Sequence, residues 1–295
     1  MFYHYTTIPA FKSILHEADT KAQMCFWATR YDCFADKEEV KLGVETIHRL
    51  MPEVEKTMQS DRQISSMFDW SVIKDNKNLG YPYIVSFTSR PNNDYMWREY
   101  AGMDGVVMEI DNPVCVSVPD TPLLRLASCI YVDENSDDQL IEILHQEYNE
   151  IGLRILGGPQ KERAFAILKE YPQMFVKLIA TGMLSFTAPR IKGARDFYME
   201  EETRAIIPLP ISDYNTLIEG YDDTISSLGL NPYELRNLVA NEHSRQRNDG
   251  STMYYRDMHL PIHLLKCIYV RSVDTKTQVE LFLNTLGTAI PVKLM

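Results

Sequence analysis

The sequence predicts an α+β fold in one domain that spans residues 1–295. Segments typical of strands and of helices are interleaved without the regular alternation of a doubly wound sheet. The chain has no internal repeat, no low-complexity tract and no linker rich in Gly, Ser or Pro. Its 295 residues, of which 45% are hydrophobic, are enough to bury a core without disulfides or metals.

The first part of the chain predicts short strands separated by helices. Residues 2–5 are aromatic, as is typical of a strand, and Pro9 suits the first turn of the helix that follows. A second strand is predicted at 24–29 and a turn at 30–35. A charged helix is then predicted from residue 36 to about residue 58, with acidic residues at its start, where the helix dipole favours them. Further strands are predicted at 83–88 and 105–110.

The second part of the chain predicts longer helices. Residues 132–150 contain seven acidic residues and no basic one, yet their apolar residues recur at helical spacing, so we expect a helix with a solvated acidic face. The Gly157-Gly158-Pro159 break precedes a helical stretch at about 161–183. Strands are predicted at 203–207 and 266–270, with a helical insert at about 213–242 between them.

Composition limits the classes of protein to which the chain can belong. With 30 Lys+Arg against 41 Asp+Glu, the net charge of −11 argues against a protein that coats nucleic acid over its whole surface. No apolar run approaches the length of a membrane span, and the first residues lack the basic and apolar blocks of a signal peptide. Five cysteines without a C-x-x-C pair indicate thiols in a reducing compartment. We therefore predict a cytoplasmic protein that does not contact a membrane.

The familiar enzyme motifs are absent. The sequence has no G-x-G-x-x-G, no phosphate-binding G-x-x-x-x-G-K-[ST] and no G-x-S-x-G. His259 and His263 are four residues apart, but Pro261 between them argues against a metal pair on one helix. The sequence therefore predicts no metal site.

Three clusters carry side chains suited to chemistry. They are Tyr-His-Tyr-Thr at 3–6, Ser-Phe-Thr at 86–88 with the aromatic segment 95–100 after it, and three glutamates at 200–202. If the strand predicted at 203–207 begins by residue 200, the first and third glutamates project to one face, where each raises the pKa of the other unless a cation or a function offsets this cost. Each cluster also has a purely structural interpretation. The histidine can be a structural residue with its hydrogen bonds made, the aromatic segment can be core packing, and the glutamates can be a solvated surface segment.

Six blocks in a fixed order resemble a bacterial family, the domain-of-unknown-function 2971 family, over most of the chain. The blocks are Y-H-Y-T (3–6), F-W-A-T-R-Y-D-C-F-A-D-K-E-E (26–39), Y-I-V-S-F-T (83–88), M-W-R-E-Y-A-G-M-D-G-V-V-M-E-I-D (96–111), F-Y-M-E-E-E-T-R (197–204) and L-L-K-C-I-Y-V (264–270). The chain departs from the family pattern at Thr203, where the family has an aromatic residue, and at Arg271-Ser272, where it has Gly-Pro.

This family is distantly similar to ADP-ribosyltransferases, including the DarT-type DNA-modifying toxins. The resemblance implies a split mixed β-sheet core with surrounding helices and NAD as the substrate. It also implies a catalytic role for Glu202, assisted by Glu200, and an NAD-positioning role for His4. The other implied NAD-binding residues are Tyr5 and Thr6 and one middle-strand residue, which is Tyr31, Ser86 or Thr88. These groups must converge on one cleft.

The chemistry of that reaction suits these residue types. Breaking the bond between nicotinamide and ribose passes through an oxocarbenium-like centre, which a nearby carboxylate stabilises. The same carboxylate can act as a general base on the acceptor. An arginine, Arg30 or Arg98, can neutralise the pyrophosphate.

The acceptor is predicted from the one clear basic stretch. Residues 177–195 contain four basic residues and no acidic one, and they run into the glutamate cluster. Lys192 and Arg195 are therefore predicted to face an acceptor such as a phosphate backbone, and a solubilising loop is the alternative. The segment 243–247 with Arg256 is a weaker basic candidate.

The function implied by the resemblance is an NAD-dependent ADP-ribosyltransferase that acts as a toxin or phage-defence effector. Nucleic acid, RNA included, is favoured over protein as its acceptor. One alternative is an NAD glycohydrolase, in which water is the acceptor. The other is a non-catalytic binding or sensor module that recognises a protein partner such as an antitoxin or a chaperone.

Overall fold

The structure is a computed structural model that describes part of the chain. The described residues are 1–16, 18–34, 40–58, 64–67, 82–111, 125–133, 135–156, 176, 179–180, 182–207, 242–247 and 249–295. The predicted break at 157–159 and the start of the helix predicted from residue 36 lie outside these ranges. So do most of the helix predicted at 161–183 and, except for residue 242, the predicted insert at 213–242.

The described residues form both strands and helices. The strands are β1 (Phe2–Thr6), β2 (Gln23–Arg30), β3 (Tyr83–Thr88), β4 (Val106–Ile110), β5 (Arg125–Ser128), β6 (Ile130–Val132), β7 (Ile191–Gly193), β8 (Glu202–Ile207), β9 (Glu242–Gln246), β10 (Thr252–Pro261), β11 (Leu265–Val270) and β12 (Val292–Leu294). The helices are α1 (Ile8–Ile14), α2 (Lys41–Met58), α3 (Ile64–Met67), α4 (Asp94–Met96), α5 (Asp137–Leu156), α6 (Ala194–Phe197) and α7 (Val273–Thr285).

Shorter helical turns connect several of these elements. A π-helical turn, Trp97–Ala101, continues α4, and a second one, Met183–Thr187, leads into the 3₁₀ turn Ala188–Arg190 before β7. A further 3₁₀ turn, Tyr198–Glu200, leads from α6 to β8. In the part of the chain that the structure describes, no helix is both long and apolar enough to cross a membrane.

The six predicted strands are confirmed to within two residues at each end as β1, β2, β3, β4, β8 and β11. The acidic helix is confirmed as α5, whose apolar face buries Leu140, Leu144 and Tyr148. Glu242, at the approximate end of the predicted insert, begins β9, which pairs with β10. Neither β10 nor α7 was predicted.

The sheet is mixed but largely antiparallel, so the molecule is a mixed α/β protein. Ten strands form one sheet with the order β12-β11-β4-β1-β3-β2-β10-β9, and β8 pairs with β3 and carries β5. Among the described strand pairs of this sheet, only β11 and β12 run parallel. β3 is the branch point, because it pairs with β1 and β2 on one side and along its length with β8 on the other.

Alternation along the strands divides the side chains between two faces of the sheet. One face, which includes Phe26, Phe87 and Met108, packs into the largest apolar core together with α1 and α7. The other face carries Tyr3 and Tyr5, which pack against the turn that contains Met96 and Trp97. A third apolar cluster fills the space between α2 and α5. Burial of this much apolar surface is the main source of stability in a fold of this kind.

Candidate functional site

Glu200 and Glu202 form a buried carboxylate pair at the start of β8. Glu201 between them has φ 43°, in the left-handed region, and this turn lets the glutamates on either side point inward. Only 3% of Glu200 and 4% of Glu202 is exposed. Lys192 on β7 donates from Nζ to Glu200 Oε2 at 2.6 Å and to Glu202 Oε2 at 2.8 Å. A single ammonium group therefore bridges the two carboxylates.

Further contacts fix Glu202 on its remaining sides. Arg204, two residues later on the same strand face, donates from Nε to Glu202 Oε1 at 2.9 Å, and its guanidinium also donates to the carbonyl of Pro189. The Cys129 thiol lies 3.6 Å from Glu202 Oε2. The backbone N–H of Glu202 donates to the Tyr131 hydroxyl at 2.8 Å. Both oxygens of the Glu202 carboxylate therefore have partners.

The two cations keep Glu202 ionised. Burial raises the pKa of this carboxyl, but Arg204 and Lys192 lower it by more, so that the pKa falls to about 2. The Cys129 thiol responds in the opposite direction: burial and the neighbouring Glu202 charge raise its pKa, so it stays protonated. At neutral pH the site therefore contains a fixed carboxylate anion beside a neutral thiol.

Three exposed side chains, Tyr100, Tyr198 and Met199, form a rim next to the carboxylate pair. The Tyr100 hydroxyl donates to Glu200 Oε1 at 2.7 Å, while 48% of Tyr100 is exposed. Burial and the Glu200 charge raise the pKa of this hydroxyl, so it remains a donor. Tyr198 and Met199, on the turn before β8, are 57% and 42% exposed. The half-buried Phe197 also contacts the cluster, since Lys192 Nζ lies 4.4 Å from the centre of its ring.

Two of the candidate middle-strand residues lie on the same face as the carboxylates. Thr88 is directly opposite Glu202 across the β3–β8 pair, and Ser86 is opposite Arg204. Residues paired in this way share one face of the sheet. Thr88 is fully buried, with 0% exposure. The third candidate, Tyr31, lies after β2 and packs against the cluster between α2 and α5.

His4 lies on the opposite face of the sheet. Tyr3 pairs with Thr88, so the next residue along β1 points away from the Glu202 face. The His4 ring packs edge-on against Phe26 at 5.2 Å and near Phe87 at 5.7 Å. Its Nδ1 lies 2.9 Å from the carbonyl oxygen of Ser86, and burial lowers its pKa. The structure does not bring His4 to the carboxylate pair.

The neighbours of His4 in the first motif also have structural contacts. The Tyr5 hydroxyl donates to the carbonyl of Pro91 at 2.9 Å and accepts from the Asn93 N–H at 2.9 Å. Thr6 is buried and projects to the same face of the sheet as His4, opposite to the face of Tyr5. Among His4, Tyr5 and Thr6, only Tyr5 is therefore on the same face of the sheet as the carboxylate pair.

The two predicted pyrophosphate arginines lie in different surroundings. Arg30 donates from Nε to Asp32 at 2.7 Å, approaches Glu242 at 3.2 Å and stacks over the Tyr254 ring. Arg98 is exposed on the Trp97–Ala101 turn, two residues before Tyr100, where it contacts Glu99 and lies over the Tyr95 ring. Of the two arginines, Arg98 is therefore the one on the same turn as Tyr100.

The two residues predicted to face the acceptor, Lys192 and Arg195, differ in burial. Lys192 is 6% exposed, and the two glutamates account for its charge, so its ammonium does not face solvent. Arg195, on α6, is exposed. The weaker basic segment forms the exposed edge strand β9. The basic stretch therefore contributes one buried cation, Lys192, to the site, while Arg195 is exposed on the helix that follows β7.

The sequence does not single out every residue of this site. For Tyr100 it leaves a functional role and core packing both open, and it assigns no role in the site to Cys129 or Tyr131. Arg204 does carry a sequence signal, since it follows Glu202 by two residues and must share its face in a strand. Cys129 and Tyr131 come from a distant part of the chain, and their contacts depend on the β5–β8 pairing.

Comparison with family models, curated proteins and solved structures gave no match to this chain. The resemblance to the domain-of-unknown-function 2971 family therefore stays a prediction that rests on the motif order.

Proposed function

We propose that the chain is a cytoplasmic NAD-dependent ADP-ribosyltransferase with an ADP-ribosyltransferase-like sheet, and that Glu200 and Glu202 are its catalytic carboxylates. The observation that carries the proposal is the buried pair of carboxylates, bridged by the Lys192 ammonium and contacted by the exposed Tyr100. Paired carboxylates held by cations at a strand end are suited to a reaction that develops positive charge on a sugar.

In this proposal the nicotinamide ring stacks on the rim and the ribose reaches the carboxylates. Substrate replaces the Tyr100 hydroxyl as the donor to Glu200, because that hydroxyl bond is the contact between the pair and the exposed rim. The ribose hydroxyls then donate to Glu200, and Glu202 stabilises the oxocarbenium-like centre. Lys192 and Arg204 keep Glu202 anionic while the nicotinamide leaves.

Residues on the carboxylate face position the NAD. Thr88 and Ser86 are the middle-strand candidates on this face, and Arg98 is the candidate for the pyrophosphate. The proposal gives His4 a packing role, since its ring lies among Phe26 and Phe87 on the other side of the sheet. Arg195 is the exposed cation available to an acceptor with phosphate groups.

The proposed biological role, a toxin or phage-defence effector, follows from the family resemblance. It implies an acceptor in the same cell, either nucleic acid, RNA included, or protein, and a partner such as an antitoxin or a chaperone. The acidic net charge of −11 favours a selective acceptor over non-specific coating of nucleic acid.

Transfer of labelled ADP-ribose tests this proposal. The purified chain is incubated with NAD labelled in its adenylate part and with RNA, DNA or cell lysate, and label in each acceptor is measured. We expect label in one acceptor class for the wild type and a loss of about 100-fold or more for Glu200→Gln and Glu202→Gln. Glu201→Gln is the matched control, because it makes the same change at the intervening position, whose side chain pairs with Arg90.

Absence of label from every acceptor, or equal labelling by wild type and Glu202→Gln, contradicts the proposed transferase. Release of free ADP-ribose without labelled acceptor indicates the NAD glycohydrolase instead. Thermal unfolding of each variant is measured in parallel, so that loss of activity is scored only for folded protein.

A specific observation favours a second function, a non-catalytic recognition module. Both Glu202 oxygens already bind cations within the protein, and His4 is on the other face of the sheet. This arrangement is the one we expect of a chain that has kept the fold and lost the reaction. Calorimetry that detects no NAD binding, together with harmless overexpression in bacteria, supports this second function against the first.

A further inference from the structure

Three metal-binding residue types lie together on the open face of β2 and β10, away from the carboxylate pair. Cys25 on β2 is directly opposite His259 on β10, and Asp257 precedes His259 by two residues, so all three project to one face. One possible ligand atom from each lies within 4.8 Å of the other two. Cys25 is buried, Asp257 is half-buried and His259 is exposed.

These distances suit a small tetrahedral ion. With Zn–S near 2.3 Å and Zn–N and Zn–O near 2.0–2.2 Å, a tetrahedral site separates its ligand atoms by roughly 3.4–3.6 Å. Side-chain rotations that move the ligand atoms by about 1 Å therefore bring them to the separation that an ion needs. The backbone does not need to move, because the paired strands already fix Cys25 opposite His259.

We propose that Cys25, Asp257 and His259 form a zinc site. A thiolate combined with an imidazole and a carboxylate selects Zn²⁺ over Mg²⁺ or Ca²⁺, which prefer oxygen ligands alone. On binding, the Cys25 S–H bond breaks, its proton passes to water and a Zn–S bond forms, while Asp257 binds as a carboxylate and His259 as a neutral imidazole. Three protein ligands leave the fourth position to water.

A second histidine supports the site from β9. His243 Nε2 lies 3.2 Å from Asp257 Oδ2, and His243 stands opposite Tyr255 on the same face. With one Asp257 oxygen on the ion, the other oxygen can accept from His243. Outer contacts of this kind orient metal ligands and typically change affinity by about 10–100-fold when removed.

The proposed ion would join two strands near the edge of the sheet. β10 is held by β2 on one side and by the exposed strand β9 on the other. A bond from Cys25 to His259 through zinc ties β10 to β2. Zinc is therefore expected to stabilise the folded chain as it binds.

Metal titration of the full chain tests the site. Protein stripped of metal with a chelator is titrated with Zn²⁺ by calorimetry and with Co²⁺ by absorption spectroscopy, since Co²⁺ bound to thiolate has a charge-transfer band. We expect one Zn²⁺ per chain, a cobalt–thiolate band that Zn²⁺ abolishes, and a raised unfolding temperature. Cys25→Ser should remove the band, and His259→Gln and Asp257→Asn should weaken binding at least tenfold.

Matched controls separate this site from other thiols and imidazoles. Cys267→Ser changes another buried thiol, and His263→Gln changes an exposed histidine four residues beyond His259; both should bind zinc like the wild type. His243→Gln should give an intermediate affinity. If Cys25→Ser does not fold, His259→Gln decides the question, because its side chain is exposed.

Zinc binding below one equivalent in the wild type, or equal affinity in His259→Gln and His263→Gln, overturns the proposal. The measurement involves neither NAD nor an acceptor. Its outcome is therefore independent of whether the transferase is correct.

Discussion

At the scale of single residues, the Lys192 ammonium is the centre of the site. The sequence places it in a basic stretch, which favours a surface role, but the strand β7 directs it inward between Glu200 and Glu202. A basic residue near acidic residues in sequence does not reveal which of them it meets. That depends on the parallel pairing of β6 with β7, and pairing between distant short strands is not visible in a local pattern.

Replacing Glu202 should destabilise the fold. Glu202→Gln removes the anion that Lys192 and Arg204 share while both cations stay buried, so we expect a loss of about 3–5 kcal/mol in the free energy of unfolding. Glu201→Gln, which affects only a surface ion pair with Arg90, should change it by less than about 1 kcal/mol. Urea unfolding of both variants measures the difference. Equal midpoints for the two variants contradict a buried charge network.

The same carboxylate predicts a dependence of stability on acid pH. The pKa of Glu202 in the folded chain is about 2, against 4.5 for an unperturbed glutamate. Its contribution is therefore complete above pH 4.5 and is lost as pH falls toward 2. We expect the free energy of unfolding to fall less steeply across this window in Glu202→Gln than in the wild type. Urea unfolding at several pH values checks this, and parallel curves would contradict it.

At the scale of elements, the strands with strong sequence patterns were predicted and the strands that depend on pairing were not. β3, with Tyr83, Val85 and Phe87 on one buried face, is recognisable from its composition alone. β9 is exposed along its length, and its polar sequence resembles a loop. It forms a strand because β10 offers it a complete row of backbone partners. Local pattern identifies buried strands and misses polar edge strands for this reason.

Close packing of α2 gives a prediction at this scale. A Cβ atom on Gly43 would lie 2.0 Å from the backbone oxygen of Ala188, so Gly43→Ala forces apart α2 and the turn before β7. We expect a destabilisation of about 1–3 kcal/mol or more, despite the higher helix propensity of alanine. Thermal or urea unfolding measures it.

Gly193→Ala is the control for this packing. A Cβ there meets nothing within 4 Å, and its φ is −63°, so we expect little change in stability. If Gly43→Ala is as stable as Gly193→Ala, α2 does not pack against Ala188 as the structure describes.

At the scale of the whole molecule, the branched sheet explains which predicted residues meet. β3 joins the first motif, through Tyr3, to the glutamate motif, through Thr88 and Glu202. The sequence correctly predicted these three strands, but it could not predict their register. A shift of one residue reverses the face of every side chain, and the register places His4 behind the sheet. The convergence of Glu200 and Glu202 was predictable, and the separation of His4 from them was not.

The release of nicotinamide from NAD by the purified chain tests the central claim most directly. The assay compares wild type, Glu202→Gln and Glu201→Gln, with and without RNA, DNA and lysate, at a temperature where all three remain folded. We predict release by the wild type and by Glu201→Gln, and release slower by about 100-fold or more from Glu202→Gln. Equal rates for the wild type and Glu202→Gln, or no release with any acceptor, would contradict a carboxylate-catalysed reaction of NAD at this site.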